Sequence, residues 1–278
     1  MNSQDDQTLV IAPGSGLGQY WRDIWNYREL LFFLVWRDIL VRYKQTVLGV
    51  AWSVIRPVLT MLVFTVIFGK LAKFPSDGGA PYPVLVFAAM LPWQLFANAL
   101  GESSASLVSN ANLLSKVYFP RMIVPGSAVL VCLVDFLISS LVLLLLMAGY
   151  GFWPGWRILT LPFFLGLVLL AAFGAGLFFA TMNVRYRDFR YIIPFVVQLG
   201  LYVSPVGFSS SIVPSGWRLL YAMNPMVGII DGFRWAILGS GEALYLPGVT
   251  LSLGMAVFFC IVGIRSFRKA ERNFADVI

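Results

Sequence analysis

Three ionisable residues stand inside long apolar runs of this chain: Arg56, Glu102 and Asp135. A charge at the centre of a bilayer costs about 2.5–3.5 kcal/mol on insertion scales, so each of the three needs a partner or water. Arg56 falls about 9 Å inside the first run, and Glu102 about 10 Å inside the second, measured from the same surface. Similar depth on consecutive antiparallel helices makes Arg56 and Glu102 the expected ion pair. Asp135 lies deeper and calls for a polar partner or a wet cavity. A second set, Arg37, Arg42 and Lys44, precedes the first run at headgroup depth. Arginine grips phosphate through two parallel bonds and lysine acts as a compact charge, so this set suits a phosphorylated headgroup. It equally suits topology charges drawn to anionic lipid.

Other chemistry is missing. There is no histidine, which removes the commonest base and metal ligand. Cys132 and Cys260 lie in apolar runs and offer neither a disulfide framework nor metal spacing, so no metal site is expected. No G-x-x-x-x-G-K-[ST] pattern occurs; Gly14-Ser15-Gly16-Leu17-Gly18 lacks the lysine and follows no strand. The external loops carry too few carboxylates for a glycosidase-like pair. No pair of matched broken helices recurs in two halves, against the common secondary-transporter designs. The expectation is a chain with no catalytic site of its own, which conducts passively or borrows work from a partner.

The elements that hold these residues are membrane helices. Six apolar stretches begin near Leu48, Pro83, Ile123, Ile158, Tyr191 and Leu246. Each meets or approaches the roughly 20 residues needed to cross about 30 Å of hydrocarbon, where the backbone must satisfy itself as helix. The chain is 59% hydrophobic and 12% charged, and its net charge of +7 is concentrated in alternate connections. Arg22, Arg28, Arg37, Arg42 and Lys44 precede the first span; Lys116 and Arg121 follow the second; Arg185, Arg187 and Arg190 follow the fourth; Arg265, Arg268, Lys269 and Arg272 follow the last. By the positive-inside rule both termini face the cytoplasm, and the basic excess signals topology rather than nucleic acid. Residues 1–16 are polar, carry Asp5 and Asp6 where a signal peptide needs basic charge, and read as a disordered tail before one transmembrane domain, 17–278.

Three shorter elements complete the reading. In residues 17–35, Tyr20, Trp21, Ile24, Trp25, Leu31 and Phe32 recur at helical spacing opposite charged neighbours, as in a helix lying in the interface plane. In residues 109–121, Asn110 or Asn112 can cap a short cytoplasmic helix that Pro120 ends, a docking surface or a plain connector. In residues 214–241, two half-length apolar helices meet at Asn224-Pro225, the first capped by Ser215, the second starting on the proline. Neither is long enough to cross, so together they read as a re-entrant hairpin from the outer face. The fold class is an all-α polytopic membrane protein: six spans, an in-plane helix and this hairpin.

Taken in order, six stretches resemble the permease subunit of type-2 ABC transporters that export polysaccharides such as O-antigen, capsule and teichoic acid. They are Arg37 to Lys44 with Leu48-Gly49 and Trp52; Leu91-Pro92-Trp93-Gln94-Leu95-Phe96; Asn110 through Phe119-Pro120-Arg121; Asn183 to Asp188; Ser204-Pro205; and Asn224-Pro225-Met226. Arg56 ahead of Pro57 departs from the family pattern. The resemblance implies a homodimer in the bacterial cytoplasmic membrane, joined by two ATP-binding cassette subunits that hold the ATP and Mg, so that this chain needs no cofactor. It implies a lipid-pyrophosphate-linked glycan as substrate, with O-antigen foremost, and no nucleic-acid partner. It implies coupling to the ATPase through Asn112, Leu114, Lys116, Tyr118, Pro120 and Arg121. It also implies an external gate carried by Tyr221, Asn224, Pro225, Ile230 and Phe233. A drug exporter of the same architecture, and an integral-membrane enzyme acting on a lipid-linked glycan, are the competing readings.

Overall fold

The computed structural model describes residues 17–44, 49–74, 79–186, 188–239 and 244–271. The expected tail 1–16, the last two hairpin residues 240 and 241, Leu48, Arg187 and Arg272 lie outside the described residues. Those described form helices and connections, with no strand among them.

In chain order the α-helices are α1 (Leu17–Asn26), α2 (Arg28–Lys44), α3 (Gly49–Phe64), α4 (Tyr82–Ser109), α5 (Ala111–Lys116), α6 (Ile123–Gly149), α7 (Leu161–Arg185), α8 (Phe189–Val203), α9 (Ser215–Tyr221), α10 (Pro225–Leu238) and α11 (Leu246–Glu271). Among the described residues five helical stretches are long and apolar enough to cross a membrane: Ala51–Leu71, Tyr82–Ser109, Ile123–Gly149, Trp156–Arg185 and Leu246–Glu271. The first runs through α3, with Pro57 inside it, into a π-helical stretch, Thr65–Leu71.

The fifth expected span is shorter than its apolar run suggests. α8 has 15 residues, about 22 Å of helix. At Ser204-Pro205 the chain leaves the helix and turns inward, so that Ser204, Pro205, Val206 and Gly207 are buried. The residue before a proline is pushed toward extended geometry, and Ser204 has φ −81° and ψ 153°.

α4 is the central helix, buried along its first half from Val84 to Trp93. Its side chains meet Leu143 and Met147 of α6, Phe164 and Val168 of α7, and Ile230 and Phe233 of α10 in one continuous core. α7 and α11 pack backbone to backbone. A Cβ on Gly174 would stand 2.4 Å from the Cys260 nitrogen, and one on Gly263 would stand 2.0 Å from the Gly174 oxygen. Small residues allow such approach where lipid offers no hydrophobic drive between helices. α3 and α8, by contrast, leave Leu59, Leu62, Val63, Tyr191, Phe195 and Tyr202 exposed.

A second cluster closes the end of the bundle that carries α1, α2 and α5. Leu34, Leu107, Leu114, Phe119, Met122, Leu177 and Phe267 meet there. The expected in-plane helix, 17–35, is divided into α1 and α2 at Tyr27, and α2 continues to Lys44. Its Trp21, Trp25, Phe32, Phe33 and Trp36 stay exposed, while Tyr20, Ile24, Leu30 and Leu31 pack on the cluster.

Candidate functional site: polar nodes at the two ends of the bundle

At the basic end, α2 delivers Arg42 between two carboxylates. Its Nη1 donates to Asp135 Oδ2 at 2.6 Å and its Nη2 to Glu102 Oε1 at 2.5 Å. Tyr43 Oη and Ser53 Oγ donate to the other Asp135 oxygen at 2.6 and 2.7 Å. Asp135 therefore joins α2, α3 and α6, and Glu102 adds α4. Burial works against the charge on Arg42, but Glu102 and Asp135 outweigh it and raise its pKa above the ordinary arginine value. Burial, and then the bond to Asp135, push the Tyr43 phenol up to about 12.

This corrects the expected pairing. Glu102 is held by Arg42 rather than by Arg56, whose guanidinium lies over the Trp52 ring at 5.6 Å. Depth alone matched Arg56 to Glu102, but Arg56 is exposed on α3 and α2 brings Arg42 in first. It also changes the meaning of Arg42, which faces two carboxylates instead of standing free for an anion. Of the other two expected entrance residues, Lys44 is exposed, and Arg37 bridges Asp38 at 2.7 Å and Asn110 at 3.0 Å.

The 109–121 connection forms a single helical turn and a half, α5, then an extended segment from Val117. Asn110 stands at the N-cap without capping: its oxygen takes Arg37 and its nitrogen donates to the Ser106 carbonyl at 2.9 Å. Leu114 is buried in the second cluster beside Phe119, while Asn112, Lys116 and Tyr118 are exposed and Pro120 is half-buried. Arg121 turns inward: its backbone N–H donates to Glu271 Oε1 and its guanidinium to the Glu271 carbonyl, both at 2.9 Å. The six residues expected to act together thus divide into an outward face and an inward anchor.

At the other end, the corner between α9 and α10 is built on Asn224. Its Oδ1 accepts the Met226 N–H at 3.0 Å and its Nδ2 donates to Ser204 Oγ at 3.0 Å, with Pro225 opening α10. Pro214 rather than Ser215 occupies the N-cap of α9, without a side-chain bond, because Ser215 is already helical. Tyr221 Oη donates to the Val203 carbonyl at 2.8 Å. The inward-turning segment after α8 is satisfied in the same way: Arg234 donates to the Val206 and Phe208 carbonyls at 3.0 and 2.7 Å, and Tyr82 to Gly207 at 2.5 Å. Irregular backbone is tolerated at membrane depth where protein buries and satisfies it. Ile230 and Phe233 do not face a free surface. Both lie in the core, Phe233 edge-on to Phe136 at 6.2 Å. The exposed apolar face of the corner is on α9, at Trp217, Leu219 and Leu220.

Several residues of these nodes carry no sequence signal of their own. Ser53 and Glu271 are unremarkable until the fold brings their partners to them, and Tyr43 and Ser204, though inside the stretches of resemblance, give no sign of which partner they meet. Arg234 is the exception: an arginine inside the apolar run of α10 is the same flag that singled out Arg56, Glu102 and Asp135.

A bundle with five helices of membrane-crossing length among the described residues, joined by polar nodes at both ends, is that of a multi-span integral membrane protein. The profile of the family described as ABC-2 type transporter matches residues 29–238, and the chain belongs to that family. It is 30% identical over 215 residues to the "O-antigen export system permease protein RfbA" of Myxococcus xanthus, covering 77% of this chain and 82% of that one. It is 27% identical over 256 residues to the protein of that name in Klebsiella pneumoniae, covering 90% and 95% respectively. It is 24% identical to the "Inner membrane transport permease YadH" of Escherichia coli (strain K12), over 87% of this chain and 91% of that one.

Proposed function

We propose that this chain is the membrane-spanning subunit of an ATP-driven exporter that carries a lipid-pyrophosphate-linked polysaccharide, O-antigen foremost, across the bacterial cytoplasmic membrane. The observation that carries the reading is its similarity, along nearly its whole length, to O-antigen export permeases. The subunit works as a homodimer with two ATP-binding cassette subunits, which supply the bound ATP and Mg. Both termini and the basic end face the cytoplasm, in keeping with the basic residues gathered on α1, α2, α5 and the foot of α11. α1 and α2 lie in the interface with their exposed tryptophans in the headgroup layer.

The ATPase docks on the outward face of the short connection, Asn112, Lys116 and Tyr118, while Leu114, Pro120 and Arg121 hold that face to the bundle. Headgroup phosphate enters past Lys44 and Arg37. It reaches Arg42 only by exchange with Glu102, the more exposed of its two carboxylates. At the external end α9 and α10 form the gate. Tyr221, Asn224 and Pro225 fix its corner, and Ile230 and Phe233 anchor it in the core.

Pull-down of the chain from native membranes tests the assembly. It should bring a subunit with a Walker A sequence in equal stoichiometry; a chain isolated alone in mild detergent would contradict it.

A further inference from the structure

Glu271 is the last described residue of α11, and its partners lie on other elements. Oε1 accepts the Arg121 N–H at 2.9 Å and the Tyr20 hydroxyl at 3.2 Å, and its carbonyl takes the Arg121 guanidinium. One residue therefore fastens α1, the entrance to α6 and the end of α11.

The same connection is held at its other end, where Arg37 of α2 reaches Asn110 at 3.0 Å. Between the two fastenings Leu114 and Phe119 sit in the cluster that contains Phe267 of α11, and Tyr118 and Lys116 face outward. Arg268 adds its charge over the Tyr20 ring at 5.0 Å. Burial, followed by the neighbouring Glu271 carboxylate, pushes the Tyr20 phenol well above its ordinary range, so it stays protonated and remains a donor.

We propose that Glu271 is a positioning residue for transport: it fixes the α6 end of the docking connection to α11 and α1, so that a push on the outward face moves those helices instead of bending the connection. The proposal rests on the reading of 109–121 as the ATPase docking element. The effect of Glu271 is exerted through Arg121.

The experiment uses the full complex with its ATP-binding subunit in liposomes. Cys132→Ala and Cys260→Ala remove the native thiols, and Trp217→Cys reports the far end of the bundle. The parent's maleimide labelling rate at Trp217→Cys should change several-fold on vanadate trapping with ATP. Glu271→Ala should reduce that change to less than twofold while leaving subunit capture and basal ATP hydrolysis within twofold of the parent. Glu271→Gln, whose amide oxygen still accepts from Arg121, should restore most of the change. A full response in Glu271→Ala overturns the proposal. So does a Gln variant as defective as Ala, because charge and not geometry would then be the property required. Loss of subunit capture in Glu271→Ala makes it a docking or folding residue and also overturns it. A parent without any nucleotide-driven change, by contrast, overturns the docking reading itself.

Discussion

Arg42 of α2 and Asp135 of α6 meet at 2.6 Å, and with that contact the residue most suited to seize a phosphate becomes part of the protein's own framework. Asp135 also takes Tyr43 and Ser53, so α2, α3 and α6 share one carboxylate. The Asp135 side chain is 18% exposed and that of Glu102 is 52% exposed. The two arms of the node should therefore differ in what they contribute.

Asp135→Ala should cost about 2–3 kcal/mol of stability, somewhat under the 3–5 kcal/mol typical of breaking a fully buried pair. Glu102→Gln should cost less than about 1 kcal/mol, in the range of exposed pairs. Thermal unfolding in one detergent ranks the two; equal losses would contradict the assigned burial. If Glu102 is also the arm exchanged for headgroup phosphate, Glu102→Gln should raise substrate-stimulated ATP turnover at low substrate, since Arg42 is then less committed.

The 109–121 connection, proposed above as the docking element, separates two kinds of residue. Tyr118→Asp places a charge on the outward face and should abolish capture of the ATP-binding subunit with the melting temperature unchanged. Leu114→Asp buries a charge in the second cluster and should prevent folding. Pull-down yield and thermal unfolding, measured side by side, decide it. Normal capture and normal coupled transport in Tyr118→Asp would remove the docking role.

At the far corner, Asn224→Ala loses both the N-cap of α10 and the bond to Ser204 and should cost about 1–2 kcal/mol. Small-ion leak through reconstituted protein without ATP should rise as the corner loosens. Phe233→Ala acts differently: it opens the core against Phe136 and Phe164 and should cost about 3–5 kcal/mol. Unchanged leak in Asn224→Ala at normal expression would place the gate elsewhere.

Orientation is checked by single cysteines in a chain without Cys132 and Cys260. Lys116→Cys should be labelled only from the cytoplasmic side and Trp217→Cys only from outside. Labelling of Trp217→Cys solely from the cytoplasm would reverse the assignment.

Most of the helical plan was legible because lipid leaves a helix few alternatives, and five of the six apolar runs are long helices. α8 differs because hydrophobicity along a run does not register where a Ser-Pro step turns buried backbone inward. That turn depends on Arg234 and Tyr82, remote in sequence. The Asn224-Pro225 corner is local chemistry and could be read from two residues. The pairing of Glu102 was misassigned because depth is one coordinate and rotation about the helix axis another; α2, expected to end at Val35, runs on to Lys44 and carries Arg42 into the site. Ile230 and Phe233 look alike in sequence whether they plug a mouth or fill a core, and only the packing of α4 and α6 around them distinguishes the two.

Movement of a lipid-linked glycan by this chain, at the expense of ATP hydrolysed by a partner, is proposed above and can be measured directly. Liposomes holding the chain and its ATP-binding subunit, the nucleotide sites facing outward, are supplied with lipid-pyrophosphate-linked O-polysaccharide in the outer leaflet. An external glycosidase then reports how much glycan has passed inside. Protection should grow with ATP and vanish when the Walker A lysine of the partner is replaced. Unprotected glycan beside a fully active ATPase, or equal protection without the partner, would contradict it.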